Sequence, residues 1–569
     1  MKINKFLLLL ALICFNQAFT YAQVLRETRA VWLSTNYRLD WPPATYNQEQ
    51  QKQDLIKIFD DLKSKNFNTI YFQVRFNGTV LYKSDIEPMS YYISGQTGGE
   101  TTYDPLDFAI KEARARGFEI HAWVNMLNTF NSNEDKVLAH PQHIYNTHKD
   151  WILTWVEDKK KSYWIDPGIP DARKYLVDLV TELASKYDVD GIQYDFLRYP
   201  GKGVDDKDTF EKYGNGLSLD DWRRQNINLL VRDVYLSVKR IKPLIKIGAA
   251  PIGIYKNKPG AYGWEGVNDV YQDSREWLKE GTIDYLVPQI YWDFKNNPRF
   301  DILADDWQNN SYGRLIILGI GAYQKSVYPE MDKMIAYGRK IGAGGVAFFR
   351  YEHIKNYNSQ LFNEHSYPSV MPWLEILPPE SPINLTYKIS GNNENAIQFT
   401  WEKPKDELEQ VKYYSIYKFN GSTPEFSSNS LVDIISSDDN TYTFPITKPQ
   451  ATKYYFAVKS VNQGWLESSR STNVCEVIIP ALYNFAKFIK GADKVMLLTS
   501  GANSVLYINS TGNDKILING VSKQNSESLI YKGLLLAGKN YIQISSLKQY
   551  SLIKLTFENE NKSLELKLN

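Results

Sequence analysis

From residue 26 to about 370, apolar runs of strand length alternate with longer segments whose apolar residues recur at helical spacing. Eight runs stand out: Thr28–Thr35, Thr69–Val74, Glu119–Val124, Gly191–Tyr194, Lys246–Pro251, Tyr285–Ile290, Leu315–Ile320 and Gly345–Phe349. Between them, Leu55, Ile58, Phe59 and Leu62 share one helical face, and Leu106, Ala109, Ile110 and Ala113 another. Tyr175, Leu176, Leu179, Val180 and Leu183 form a third, and Ile227, Leu230, Val231, Val234, Val238 and Ile241 a fourth. Gly117 and Gly342 fall where helix C-caps belong. Strands alternating with helices predict a parallel sheet with crossover helices, and eight such units predict an α/β fold, a (β/α)8 TIM barrel over residues 24–375.

Near Trp373 the pattern changes. Leu377-Pro-Pro-Glu-Ser-Pro382 reads as a stiff, extended linker. Beyond it Ile397, Phe399 and Trp401 alternate with polar residues, as do Tyr413–Tyr417 and Tyr454–Val461. These runs predict a small β-sandwich over 376–480 that resembles a fibronectin type III module. Runs at Lys494–Leu498, Ser504–Ile508, Tyr541–Ile544 and Leu552–Phe557 predict a second all-β sandwich over 481–569. Neither holds a cluster of catalytic groups, so both are expected to be spacers or docking modules that contact the cell surface, glycan or other proteins.

In a barrel of this kind the C-terminal strand ends carry the functional groups. The stretch Val189-Asp-Gly-Ile-Gln-Tyr-Asp-Phe-Leu-Arg-Tyr-Pro200 ends a buried strand in a carboxylate, Asp195, and Pro200 turns the chain outward. A buried charge is costly unless paired or used, and pairing with Arg198 is the structural alternative to catalysis for Asp195. Strand parity places Arg75, Asn125, Gln289, Tyr291, Asp293 and Arg350 at the same rim, with Trp292 between Tyr291 and Asp293. Amides and guanidiniums bond hydroxyls and aromatic rings stack on sugar faces, so this inventory suits a neutral polyhydroxylated ligand.

Composition narrows the options. Aromatic residues make up 14% of the 569, and twelve of the 14 Trp precede residue 374. A net charge of +1 gives no sign of a nucleic-acid partner. Residues 1–22 have the form of a secretory leader: Lys2 and Lys5, an apolar run from Phe6 to Phe15, and Thr20-Tyr-Ala22 before Gln23. Ile13 before Cys14 disfavours lipidation, and once the leader is gone Cys475 is alone, so no intramolecular disulfide is expected. No later run approaches the length of a membrane span, and the mature protein is expected to be exported, periplasmic or at the cell surface. His140, His143 and His148 lie in one loop without a thiolate, and neither a metal nor a cofactor is expected. No GxSxG elbow and no phosphate-binding glycine loop occurs.

Arg29-Ala-Val-Trp-Leu33 with Asp40-Trp-Pro42, Gln73-Val-Arg75, Asp190-Gly191 with Asp195-Phe-Leu-Arg-Tyr-Pro200, Asp273-Ser-Arg-Glu-Trp277 and Pro288-Gln-Ile-Tyr-Trp292 resemble the glycosyl-hydrolase-like family 10. Phe196 stands where that family usually has Tyr. The resemblance covers residues 24–375 and implies an exported barrel that hydrolyses O-glycosidic bonds of a polysaccharide or oligosaccharide, peptidoglycan glycan strands stripped of peptides among them. Such hydrolysis normally needs two carboxyl groups. Asp195 is expected as nucleophile or base, kept ionised by Arg198, with Asp293 or Asp273 as the acid. Arg75, Asn125, Arg198, Tyr199, Gln289, Tyr291, Trp292 and Arg350 are expected to bind sugar, and Glu27, at the bottom of the first strand, to be a salt-bridge partner. Two alternatives share the site: a barrel that binds glycan without cutting it, and a transglycosylase.

Overall fold

The computed structural model of the chain describes residues 23–131, 136–374, 376–390, 396–405, 411–445 and 452–479. Between 495 and 567 it describes the strands given below and a few turn residues. The expected leader, 1–22, and the expected boundary at 480–481 lie outside the described residues. No described helix is long and apolar enough to cross a membrane.

All eight predicted strands form, each starting where the pattern begins. They are Thr28–Leu33, Thr69–Phe76, Glu119–Asn125, Gly191–Asp195, Lys246–Ala249, a sixth in two pieces (Tyr285–Leu286 and Gln289–Ile290), a seventh in two pieces (Leu315–Ile316 and Leu318–Ile320), and Gly345–Phe349. The sixth breaks at Val287-Pro288, where proline has no N–H to give the ladder. All neighbours in this ring pair in parallel. The ladder begins and ends on pieces of the sixth and seventh strands: Tyr285 pairs with Leu315 and Gln289 with Gly319. The sheet therefore closes on itself, which fits a (β/α)8 barrel.

Helices cover the outside. Gln48–Ser64 buries Leu55, Ile58, Phe59 and Leu62, the predicted face, and Asn47 caps it by accepting from the Gln50 N–H. Pro105–Ala115, Pro170–Lys186 and Leu219–Ile241 bury their predicted faces likewise, except that Tyr175 is only partly buried and Ile241 is exposed. Met331–Ile341 ends at Gly342, whose φ of 73° is the left-handed conformation a C-terminal cap requires. Inside the barrel Ala30, Trp32, Tyr71, Trp123, Tyr285 and Ala347 pack together, with the Trp32 indole donating to Gln193 Oε1 at 2.6 Å.

A feature the sequence pattern did not announce stands over the mouth. Asn128–Asn131, Ile152–Glu157 and Lys160–Ile165 form a three-stranded antiparallel sheet after the third barrel strand. Its hairpin turns through Asp158 and Lys159, both at positive φ (48° and 63°), the twist that suits a two-residue connection.

Past the linker, Ile383–Ser390, Ala396–Glu402 and Thr441–Pro445 form one antiparallel sheet, and Val411–Phe419, Leu431–Ser436, Thr452–Asn462 and Cys475–Ile479 another. Phe399, Trp401, Tyr414 and Phe456 share the core between them. Farther on are two more antiparallel sheets. One comprises Val495–Ser500, Asn503–Ser510 and Gly538–Ser545, and the other Asp514–Ser522, Glu527–Leu535, Tyr550–Phe557 and Lys562–Lys567.

The first of these β units is not held at a distance. The outer side of its four-stranded sheet lies on the N-terminal face of the barrel, the end remote from the strand termini that carry function. The Trp465 indole donates to Glu119 at 2.6 Å, and the Trp465 ring stacks on Tyr413 with centroids 4.6 Å apart. Tyr413 donates to the Phe118 carbonyl at 2.9 Å. Lys412 pairs with Asp190 at 2.9 Å and Lys63 with Asp433 at 2.7 Å. Burial alone would raise the Glu119 carboxyl, but Lys246 and His121 outweigh it and hold Glu119 at about 2. This unit thus seals the base of the barrel instead of spacing it from something else. Tyr413→Phe should lower unfolding stability by about 1–2 kcal/mol, since it leaves the buried Phe118 carbonyl unmet; urea denaturation measures it.

Candidate active site

Asp195 closes the fourth strand at the mouth and opens, partly exposed, into a cavity of about 590 Å³. Its Oδ1 accepts from the Phe196 backbone N–H at 2.7 Å and from Gln289 Nε2 at 3.4 Å. Burial pushes the carboxyl up to about 6, although the Phe196 N–H and the Arg198 charge both act to lower it. Arg198 acts in the expected direction, yet desolvation exceeds this one neighbouring charge and lifts the carboxyl above its ordinary value.

Arg198 also lines the cavity. Its guanidinium lies over three rings, Trp264 at 4.8 Å, Trp164 at 5.1 Å and Phe196 at 5.3 Å. Burial lowers it to about 10, while Asp195 and Glu157 act to raise it. Glu157, at the end of its strand in the mouth sheet, is the other carboxylate among the residues that line the cavity. Asn125, Gln289 and Tyr291 line it too. Asn125 is oriented from behind by Gln73, whose Nε2 donates to Asn125 Oδ1 at 3.3 Å. Trp123 lines the cavity too, and its buried indole N–H acts, with the Phe196 N–H, Arg198 and Gln289, to lower Asp195.

The remaining candidates lie elsewhere. Arg75 is fully buried in a two-pronged ion pair with Glu87, at 2.8 and 2.6 Å. It also donates to the carbonyls of Asn125 and Met126. It therefore holds up the end of the third strand and does not face the cavity. Arg350 donates to Asp40 and to the Leu39 carbonyl, each at 2.6 Å, and ties the first and eighth loops together. Tyr199 is fully buried against Tyr271, and Asn226 donates to its hydroxyl at 3.3 Å. Trp292 packs on the barrel core.

Neither expected acid belongs to the cavity lining. Asp293 accepts from the N–H groups of Lys295 and Asn296 and from the Asn296 amide at 2.7–2.8 Å, which hold it at about 2 against the effect of burial. A carboxyl so far down is a turn anchor and cannot carry a proton near neutrality. Asp273 accepts from the Tyr255 hydroxyl at 2.7 Å in the helix-start turn after the fifth strand. Glu27 is buried between Arg29 and Arg339, at 3.0 and 2.7 Å, as a structural ion pair should be. Of the three loop histidines, His143 bonds the Asn77 carbonyl at 2.8 Å, His148 stacks on Trp151 at 3.7 Å and His140 accepts from the Gln142 N–H at 3.2 Å.

Several lining residues had no place in the sequence expectation: Glu157, Trp155, Ser162 and Trp164 from the mouth sheet, and Tyr37, Trp264 and Tyr323 from loops. The alternation of Leu153 with Trp155 and of Tyr163 with Ile165 was the available signal for the mouth sheet. The charged stretch Glu157-Asp-Lys-Lys-Lys161 between those runs masks it, since such a run usually marks a solvated loop.

The chain is similar to several known proteins. The family described as Glycosyl hydrolase-like 10 matches residues 27–336. A relative named Glycosyl hydrolase YngK, from Bacillus subtilis (strain 168), is 31% identical over 434 residues, 70% of this chain and 84% of that protein. Glycosyl hydrolase DigH from Escherichia coli (strain K12) is 35% identical over 315 residues, 51% of this chain and 71% of that protein. Among solved structures, the glycoside hydrolase domain of PgaB (BpsB) from Bordetella bronchiseptica is similar at 14% identity and a TM-score of 0.40, over 59% of this chain and 99% of that one.

Proposed function

Because this chain belongs to the glycosyl hydrolase-like 10 family, we propose that it is an exported glycoside hydrolase cutting O-glycosidic bonds of a polysaccharide, with peptide-stripped peptidoglycan glycan strands the first substrate to test. The observation that carries this is the pair of carboxylates, Asp195 and Glu157, in one aromatic-walled cavity with Arg198 coupled to both. Two carboxyls on either side of a scissile bond are what glycoside hydrolysis requires.

Asp195, raised to about 6, is suited to hold the proton and pass it to the leaving-group oxygen. Glu157 then serves as the carboxylate that meets the sugar carbon directly or through a water, and the anomer of the first product tells which. The Asn125 and Gln289 amides supply hydrogen bonds to sugar hydroxyls, and Tyr291 a stacking face. Residues 24–375 are the catalytic barrel in this scheme. Residues 376–480 are a fibronectin type III-like module, 481–569 a second β-sandwich, and 1–22 a leader removed before Gln23.

If Asp195 gives the proton, kcat/KM falls as pH rises through about 6. A profile that falls instead on the acid side of that value would return Asp195 to the role of base. The glycan-binding barrel is separated by turnover: wild-type protein that binds peptide-stripped strands and cleaves no member of a glycan panel sinks the hydrolase.

A further inference from the structure

The aromatic residues that loops bring to the cavity come from two sets of loops. Trp155 and Trp164 come from the mouth sheet after the third strand and Trp264 from the loop after the fifth. Trp164 and Trp264 hold the Arg198 guanidinium between them. Across the mouth, Tyr291 follows the sixth strand, Tyr323 the seventh and Tyr37 the first. Tyr323 stands edge-on to Tyr291, with centroids 5.9 Å apart and an interplanar angle of 87°. The Asp195 carboxyl is reached from both sets: Arg198, which lies over Trp264, acts on it, and Gln289, two residues before Tyr291, donates to it.

The rim rings are left in solvent: Trp264 is 46% exposed, Tyr323 43% and Tyr37 48%. Single exposed aromatics are ordinary, but three around one cavity that also holds the carboxylate pair mark a binding surface. An enzyme that trims chain ends needs one side of its site walled off so that the terminus can be recognised. Here both sets of loops around Asp195 carry a ring fitted to stack on a pyranose face.

We infer that this chain binds glycan on both sides of the scissile bond and cuts within the strand, with Trp264 and Tyr323 as positioning residues for sugars on opposite sides of the cleavage point. The inference rests on the hydrolase proposal above, and the experiment separates the two. Peptide-stripped glycan strands labelled at the reducing end are digested with full-length protein and sampled early. The expected result is a rapid fall in chain length to mid-sized labelled fragments while few new reducing ends have appeared. Trp264→Ala and Tyr323→Ala are each expected to raise KM for long strands by about 5–10-fold, consistent with loss of one stacking contact, and to shift the fragment pattern in opposite directions from the label. Release of one- or two-sugar products from a chain end from the first time point, or two variants with unaltered patterns, overturns the inference while leaving a hydrolase in place. No cleavage of any glycan by wild type removes the hydrolase proposal and this inference with it.

Discussion

Asp195→Asn should lower kcat by about 10²–10⁴-fold and at the same time make the protein harder to unfold at neutral pH. The loss follows because the amide can neither give nor take the proton. The gain follows from the sign of the linkage. Burial lifts the carboxyl from 3.8 to about 6, so folding favours its neutral form. The stability it contributes is complete below the unfolded value and is lost as pH rises through about 6. At pH 7 the folded protein carries a disfavoured carboxylate. The neutral isostere relieves it by about 1–3 kcal/mol, an upper range set by the size of the lift and discounted because the carboxyl is only partly buried. Thermal unfolding of both proteins at pH 4 and pH 7 measures this: the variant should gain at pH 7 and lose most of that gain at pH 4. Equal stability at both pH values would mean that Asp195 is not desolvated, and its assignment as proton donor would fall. Retention of strand binding by the inactive variant distinguishes lost chemistry from lost affinity.

The second large effect is one of stability. Arg75→Met should destabilise the fold by about 3–5 kcal/mol, because it leaves Glu87 charged, buried and unmatched beneath the mouth. The Tyr175 hydroxyl, which donates to Glu87 at 3.1 Å, cannot replace a guanidinium. Removing the charge as well, in Arg75→Met with Glu87→Gln, should recover at least half of the loss, since the cost lies mainly in the orphaned carboxylate. The double variant still lacks the guanidinium that holds the Asn125 and Met126 carbonyls, so its KM is expected to stay raised while its stability recovers.

Much of the barrel was legible because its signal is local. The runs at Thr69, Glu119, Gly191 and Gly345 begin where the strands do, since each is a short apolar segment bounded by a helix cap or turn. Strand parity also brought Asn125, Gln289 and Tyr291 to the same cavity as Asp195. What parity cannot say is which partner waits at the strand end. Arg75 and Arg350 point as a rim residue would, yet Glu87 and Asp40, from other loops, claim both. Asp293 sits just past the sixth strand, and its environment is made by Lys295 and Asn296, so its unsuitability as an acid appears only once the turn is folded. Glu157 was hidden for the opposite reason: its strand carries the charge pattern of a loop and reaches the cavity only through the hairpin pairing of Glu157 with Lys160. The sealing of the barrel base was illegible too, because Trp465 and Glu119 are 346 residues apart and meet through no periodicity.

A domain joined to its neighbour by a linker alone could be exchanged at no cost to that neighbour. Here the indole of Trp465 finishes an ion network inside the neighbouring barrel, so exchange for an unrelated cassette would uncover Glu119, Asp190 and the Phe118 carbonyl together. Lineages that swap this unit should therefore show matched changes at the barrel's base.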